Sequence, residues 1–92
     1  MQDTEKETRI KRLQYRANHR GIKEMDIILG RFATEELAGL GDEQVDDFER
    51  LMEEQDRDLL IWFTGEQPFP LEELQEVFDL VSAHLSERDF NA

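Results

Sequence analysis

Apolar residues recur at spacings of three and four along nearly the whole 92-residue chain, and nowhere do they alternate with polar residues as a half-buried strand requires. Ile10, Leu13 and Ala17 form a modest stripe on an otherwise basic segment, which predicts a helix over about 4–18. Gly21 follows, in the position of a left-handed helix terminator. Met25, Ile28, Leu29 and Phe32 then make a full core stripe for a second helix. Gly39 and Gly41 end that helix, and Asp42 and Glu43 suit the N-terminus of a third, whose apolar face is Val45, Phe48, Leu51 and Met52. "DRDLLIWFTG" reads as a short fourth helix capped by Asp56 and stopped near Gly65, its continuous run Leu59 to Phe63 implying burial on most sides. Pro70 is expected at the first position of a fifth helix carrying Leu71, Leu74, Val77, Phe78, Val81 and Leu85. The expectation is an all-α fold, a compact bundle of five short helices forming a single helical domain over 1–92, with frayed ends at about 1–4 and 87–92.

A chain this long supports one core that buries roughly 60% of the surface exposed on unfolding. Charged residues are 37% of the chain and apolar residues 38%, so a core and a heavily charged surface coexist. No apolar stretch approaches a membrane span or a signal-peptide core, so no membrane insertion is expected and the expected location is cytoplasmic. The absence of cysteine excludes disulfides, thiol nucleophiles and thiolate metal sites. The net charge of −12 is unevenly distributed: residues 1–31 carry eight Lys/Arg against five acids, and the remainder three Arg against eighteen acids. An acidic body repels phosphate backbones, so no nucleic-acid partner is expected. A basic N-terminal face on such a body suits recognition of another protein.

No residues assemble into a recognisable catalytic set. His19 and His84 belong to no Ser/His/Asp or metal-binding pattern, and His84 reads as a structural residue of the last helix. Asp42, Glu43, Asp46, Asp47 and Glu49 lack the spacing of a calcium loop and fall on the solvent side of a helix, so no metal site is expected. Trp62 sits in the apolar run and reads as core. The glycines do not follow a strand as a dinucleotide-binding turn requires. "HRGIKEMDIILGRF", residues 19–32, is less easily dismissed. On a straight helix Glu24, Ile27 and Arg31 lie opposite Met25, Leu29 and Phe32, leaving Ile27 among Lys23, Glu24 and Arg31 with Arg20 just before the turn. That is the anatomy of a docking site, or equally of an Arg20 to Glu24 pair supporting the helix start.

At these residues the sequence resembles the succinate dehydrogenase assembly factor 2, or flavinylation factor, family. Its Arg-Gly-x-x-Glu hallmark, with an Asp two residues on, is matched by Arg20, Gly21, Glu24 and Asp26. "ILGRF", "LGDEQVDDFERLME" and the Asp56, Asp58, Leu59, Trp62 pattern extend the likeness over about residues 9–85. His19, Ile22 and Arg57 depart from residues frequent in that family. The resemblance implies a chaperone-like assembly factor, not an enzyme. It would bind the free flavoprotein subunit of succinate dehydrogenase, and in bacteria often that of fumarate reductase, and promote covalent attachment of FAD to a client histidine. FAD would belong to the client, with no cofactor held tightly by this chain, which would be a monomer when free. The implied partner-binding residues are His19, Arg20, Gly21, Lys23, Glu24, Asp26 and Ile27. Removing Arg20 or Glu24 is expected to weaken docking by roughly 2–5 kcal/mol while folding barely changes. The competing classes are a protein that handles FAD itself and a general interaction module, such as an antitoxin-like regulator, with a different partner.

Overall fold

The computed structural model describes the backbone of residues 2–89 and the side chains of residues 5–87. Among the described residues there are five helices and no strand. α1 spans Gln2–Ala17. α2 runs over 23–36 as three continuous pieces, Lys23–Met25, a π-helical turn Asp26–Gly30 and Arg31–Glu36, and a 3-10 turn at Leu37–Gly39 follows it. α3 is Asp42–Leu51, α4 is Asp56–Phe63, and α5 is Gln75–Asp89, entered through a 3-10 turn at Glu72–Leu74. The expectation of frayed ends at 1–4 and 87–92 falls almost entirely outside the residues whose side chains are described.

The stripes read from the sequence meet in one apolar cluster. Leu13, Ala17, Met25, Leu29, Phe32, Val45, Phe48, Leu59, Val77 and Val81 are buried in it, so all five helices contribute. Phe32 is central, stacked on Phe48 with ring centroids 5.5 Å apart and meeting the edge of His84 at 5.6 Å. His84 is buried on α5, and its Nε2 lies 2.8 Å from Glu35 Oε1 on α2, which ties the two helices together without leaving a buried polar atom unpaired.

The charge asymmetry of the chain is partly cancelled by surface pairs between α1 and α3. Arg9 on α1 donates to Asp46 at 2.6 Å and Glu49 at 2.7 Å on α3, and Lys6 lies 3.3 Å from Asp42. The Glu49 and Asp46 carboxylates raise the Arg9 guanidinium above its ordinary pKa by hydrogen bonding to its charged form. The acids of α3 thus serve as counter-ions for one flank of α1.

Three local expectations change and one holds. Gly21 does not cap α1, which closes through Asn18 N–H to Gln14 C=O; its φ of +99° instead turns the chain into α2. Asp56 is not the cap of α4 but its first helical residue, preceded by extended Gln55, because its carboxylate is engaged elsewhere. The far end of α4 does close at Gly65, with φ +84° and bonds from Gly65 N–H to Trp62 C=O and Glu66 N–H to Ile61 C=O, a Schellman arrangement. Pro70 lies ahead of the 3-10 turn, not within the helix.

The run Leu59 to Phe63 is also less enclosed than its composition suggests. Only Leu59 is fully buried; Leu60, Ile61, Trp62 and Phe63 are half-buried, because α4 lies at the edge of the bundle. Trp62 packs against the core from outside and meets Phe69 edge-on at 5.2 Å, Phe69 stacks on Phe78 at 4.1 Å, and Phe78 stacks on Phe63 at 4.6 Å. That aromatic chain fastens the 64–71 connection to α4 and α5.

Candidate functional site

The link between α1 and α2, residues 18–22, is held by one arginine. The Arg20 side chain is only 12% exposed and reaches the α3–α4 connection, where three acceptors surround it. Its Nε donates to Asp56 Oδ1 at 2.7 Å, one terminal nitrogen to the Met52 C=O, and the other to the Glu54 C=O at 2.8 Å. The planar five-donor fork of a guanidinium fits such a divergent set of oxygens as no other cation does. From the other side, the Arg20 backbone N–H donates to Asp26 Oδ1 at 2.6 Å, closing the link onto the first turns of α2.

These bonds rule out the Arg20 to Glu24 pair as the role of the arginine, and they equally remove the guanidinium from the surface. The contacts of Arg20 run inward, which argues for a positioning role and against the expectation that folding barely notices its loss. Asp26, half-buried, is likewise engaged internally. The clamp presents Gly21, Lys23 and Glu24, all exposed, as a fixed turn. A Cβ added at Gly21 would meet nothing within 4 Å, so its outer side is open space, while its positive φ resists any L side chain. Ile27 is half-buried beside this turn and lies outside the core cluster. His19 is exposed; its Nδ1–H donates to the Tyr15 C=O at 2.8 Å.

The π turn Asp26–Gly30 is where the helical wheel drawn from sequence departs from the structure. It places Gly30 in the interior beneath the end of α1, with the Asn18 side chain directly over it. Gln14 Nε2 reaches the Ala33 C=O at 2.9 Å, and Asn18 Nδ2 reaches Gln14 C=O at 2.7 Å and Thr34 Oγ1 at 3.3 Å. A wide turn with a glycine at its end lets two backbones approach closely there.

Tyr15 carries no motif or charge that marks it in the sequence. It is 65% exposed, the one large hydrophobic residue so placed among the described residues, and it stacks on the His19 ring with centroids 4.0 Å apart. Its position opposite Ile10, Leu13 and Ala17 on α1 is the signal that locates it. Tyr15, His19 and Arg20 border an open groove completed by Met52, Glu53, Glu54 and Asp56. A second groove, along α3, is lined by Glu43, Asp46, Asp47, Glu49 and Glu53 with Arg9 and Arg50. Both grooves mix charges: Arg16, His19 and Arg20 face Glu53, Glu54 and Asp56 in the first, and acids outnumber the two arginines in the second. For a cation, Glu35, Glu36 and His84 bring ligand atoms within 4.8 Å of one another, although two are exposed acids and His84 is already bonded to Glu35. No helix of the described residues is long and apolar enough to cross a membrane.

Comparison with known proteins gives a consistent result. The family described as "Flavinator of succinate dehydrogenase" matches residues 11–85. A mitochondrial succinate dehydrogenase assembly factor 2 of Mycosarcoma maydis is 43% identical over 65 residues, covering 71% of this chain and 27% of that protein. The FAD assembly factor SdhE of Acetobacter pasteurianus is 39% identical over 64 residues, 70% of this chain and 59% of that protein. The mitochondrial assembly factor 2-A of Drosophila yakuba is 33% identical over 81 residues, 86% of this chain and 50% of that protein. The chain thus spans from about a quarter to three fifths of the length of these curated relatives. No solved structure gives a significant match.

Proposed function

The chain belongs to the family of flavinators of succinate dehydrogenase, and from that premise we propose that it binds the free flavoprotein subunit of succinate dehydrogenase and promotes covalent attachment of FAD to a histidine of that subunit. The homologous flavoprotein of fumarate reductase is a second client. The observation that supports this most directly is the exposed turn Gly21 to Glu24, immobilised by a largely buried Arg20 that bonds to a carboxylate and two carbonyls of another connection. A rigid, charged turn with open space over a glycine is suited to close approach by a partner's backbone, and rigidity reduces the ordering cost of association.

The mechanism is positional. The chain acts without catalysing the bond-forming step, and FAD stays with the client. Binding would favour the client conformation in which flavin and histidine meet, and such alignment lowers a barrier by several kcal/mol, up to about 7–11 in the most favourable intramolecular cases. Gly21 provides the approach, Lys23 and Glu24 supply charge-assisted contacts, Ile27 and His19 flank them, and Arg20 with Asp26 hold the turn in shape. Free of its client the chain is a cytoplasmic monomer.

Glu24 gives the cleanest test, since its side chain is exposed and has no hydrogen-bonded or ionic partner among the described residues. Cells lacking this protein should lose most in-gel fluorescence of covalent flavin in the dehydrogenase flavoprotein, and the wild-type chain should restore it. Glu24→Ala should restore it poorly, although the purified variant melts within about 2 °C of wild type, as surface substitutions do. Normal covalent flavin in the deletion strain refutes the function. A tight stoichiometric complex of the purified chain with FAD alone would move the chemistry from the client to this protein.

A further inference from the structure

The side of α1 opposite its buried stripe, which borders the groove over the end of α3 at Tyr15 and His19, carries a second recognition feature. Ile10, Leu13 and Ala17 bury one side of α1, while at 100° per residue Arg12, Tyr15 and His19 lie together on the opposite side. Lys6, Arg9 and Arg16 all have carboxylate partners on α3 within 4.0 Å. Arg12 and Lys11, by contrast, are exposed cations with no partner among the described residues. Tyr15 is not a loose side chain on this face. Its ring is stacked at 22° on an imidazole that is itself bonded to the Tyr15 carbonyl, so aromatic surface is displayed at low conformational cost.

We propose that the Arg12, Tyr15, His19 face of α1 is a second contact region that grips an acidic surface of the flavoprotein subunit, continuous with the Gly21 to Glu24 turn. The inference rests on the function proposed above and extends it by naming the anchor and the chemistry it meets. Charge complementarity selects the partner: unpaired cations on a chain of net charge −12 are a local exception, and they orient the molecule toward a carboxylate-rich patch that the rest of its surface repels. A second copy of this chain would offer such a patch on α3. That contact would be head-to-tail, however, joining two different faces, and such contacts propagate or form rings instead of closing as a dimer.

Affinity for the purified, FAD-loaded but unlinked flavoprotein subunit should be measured by calorimetry for the wild type, Tyr15→Ala, Tyr15→Phe and Arg12→Glu. Because Tyr15 points away from the core, Tyr15→Ala should keep the wild-type thermal midpoint. It should bind about 30-fold more weakly, as a central aromatic anchor does. Tyr15→Phe keeps the ring stack and should stay within about threefold. Arg12→Glu should weaken binding about tenfold at low salt and progressively less as salt rises. Wild-type binding with Tyr15→Ala within twofold of it overturns the anchor and leaves the function standing. A wild-type chain that does not bind the subunit overturns both. Concentration-dependent self-association abolished by Tyr15→Ala, with subunit affinity unchanged, assigns the face to a second copy and likewise overturns the proposal.

Discussion

Replacing Arg20 by alanine removes three donors from a site that has no substitute for them. The side chain is 12% exposed and its partner Asp56 17%, so both charges are mostly shielded from water and the pair cannot be treated as a surface ion pair. Loss of the guanidinium leaves the Asp56 carboxylate and the Met52 and Glu54 carbonyls without it. Hydrogen bonds to charged groups contribute about 1.5–3 kcal/mol each, and removing one partner of a fully buried pair costs about 3–5 kcal/mol. Asp56 lies beside an open groove and would partly rehydrate, which brings the net loss to about 2–4 kcal/mol. For a domain of this size that is a fall in thermal midpoint of roughly 10–25 °C. Urea unfolding followed by circular dichroism should show a lower midpoint with an unchanged slope. Arg20→Lys should recover only part of the loss, since one ammonium cannot serve three divergent acceptors. The double variant with Asp56→Ala should reveal a coupling of about 1–3 kcal/mol. A midpoint for Arg20→Ala within about 2 °C of wild type would refute the clamp and return Arg20 to the surface as a contact residue.

Two further substitutions probe the packing that places the site. Gly30→Ala would drive its Cβ into the Asn18 side chain and to 3.3 Å from the Ala17 carbonyl, so Asn18 must swing away and lose its bonds to Gln14 and Thr34. Overpacking of about 1–3 kcal/mol outweighs the roughly 1 kcal/mol by which alanine favours a helix over glycine, so the melting point should fall, and Asn18→Ala in the same chain should restore most of it. Phe78→Ala deletes the ring between Phe63 and Phe69, and a loss of about 3–5 kcal/mol is expected. With the 64–71 connection loosened, emission from the single tryptophan, Trp62, should shift to the red, and an unshifted spectrum would show that Phe69 is held by other contacts.

Legibility of the site was uneven in an instructive way. Arg20, Gly21, Lys23 and Glu24 were all visible as a charged turn, and three of them are exposed. The partner of Arg20 was not visible. Asp56 lies 36 positions away, and its role as first helical residue instead of cap follows from being bonded to an arginine that no local spacing connects to it. Tyr15 falls opposite Ile10, Leu13 and Ala17 by the same periodicity that marks them as buried, so its exposure is legible in the sequence, whereas its stacking on His19 is not.

The sequence by itself determined that this chain is helical, about where its five helices lie and, except along α4, which stripes they bury, because a 3.6-residue period is a local property and burial of each stripe follows from it. Family membership was equally a matter of residues in order. Tertiary structure alone decided what the charges do. A guanidinium, a carboxylate or a lone aromatic ring has the same local signature whether it faces solvent, a partner or another part of its own chain, and the difference is set by which distant carbonyls and carboxylates the fold brings within about 3 Å. Hence Arg20 is turned inward, Arg9 is paired at the surface with the acids of α3, Arg12 and Tyr15 are left facing outward, and a turn that periodicity could only mark as charged is held in one shape.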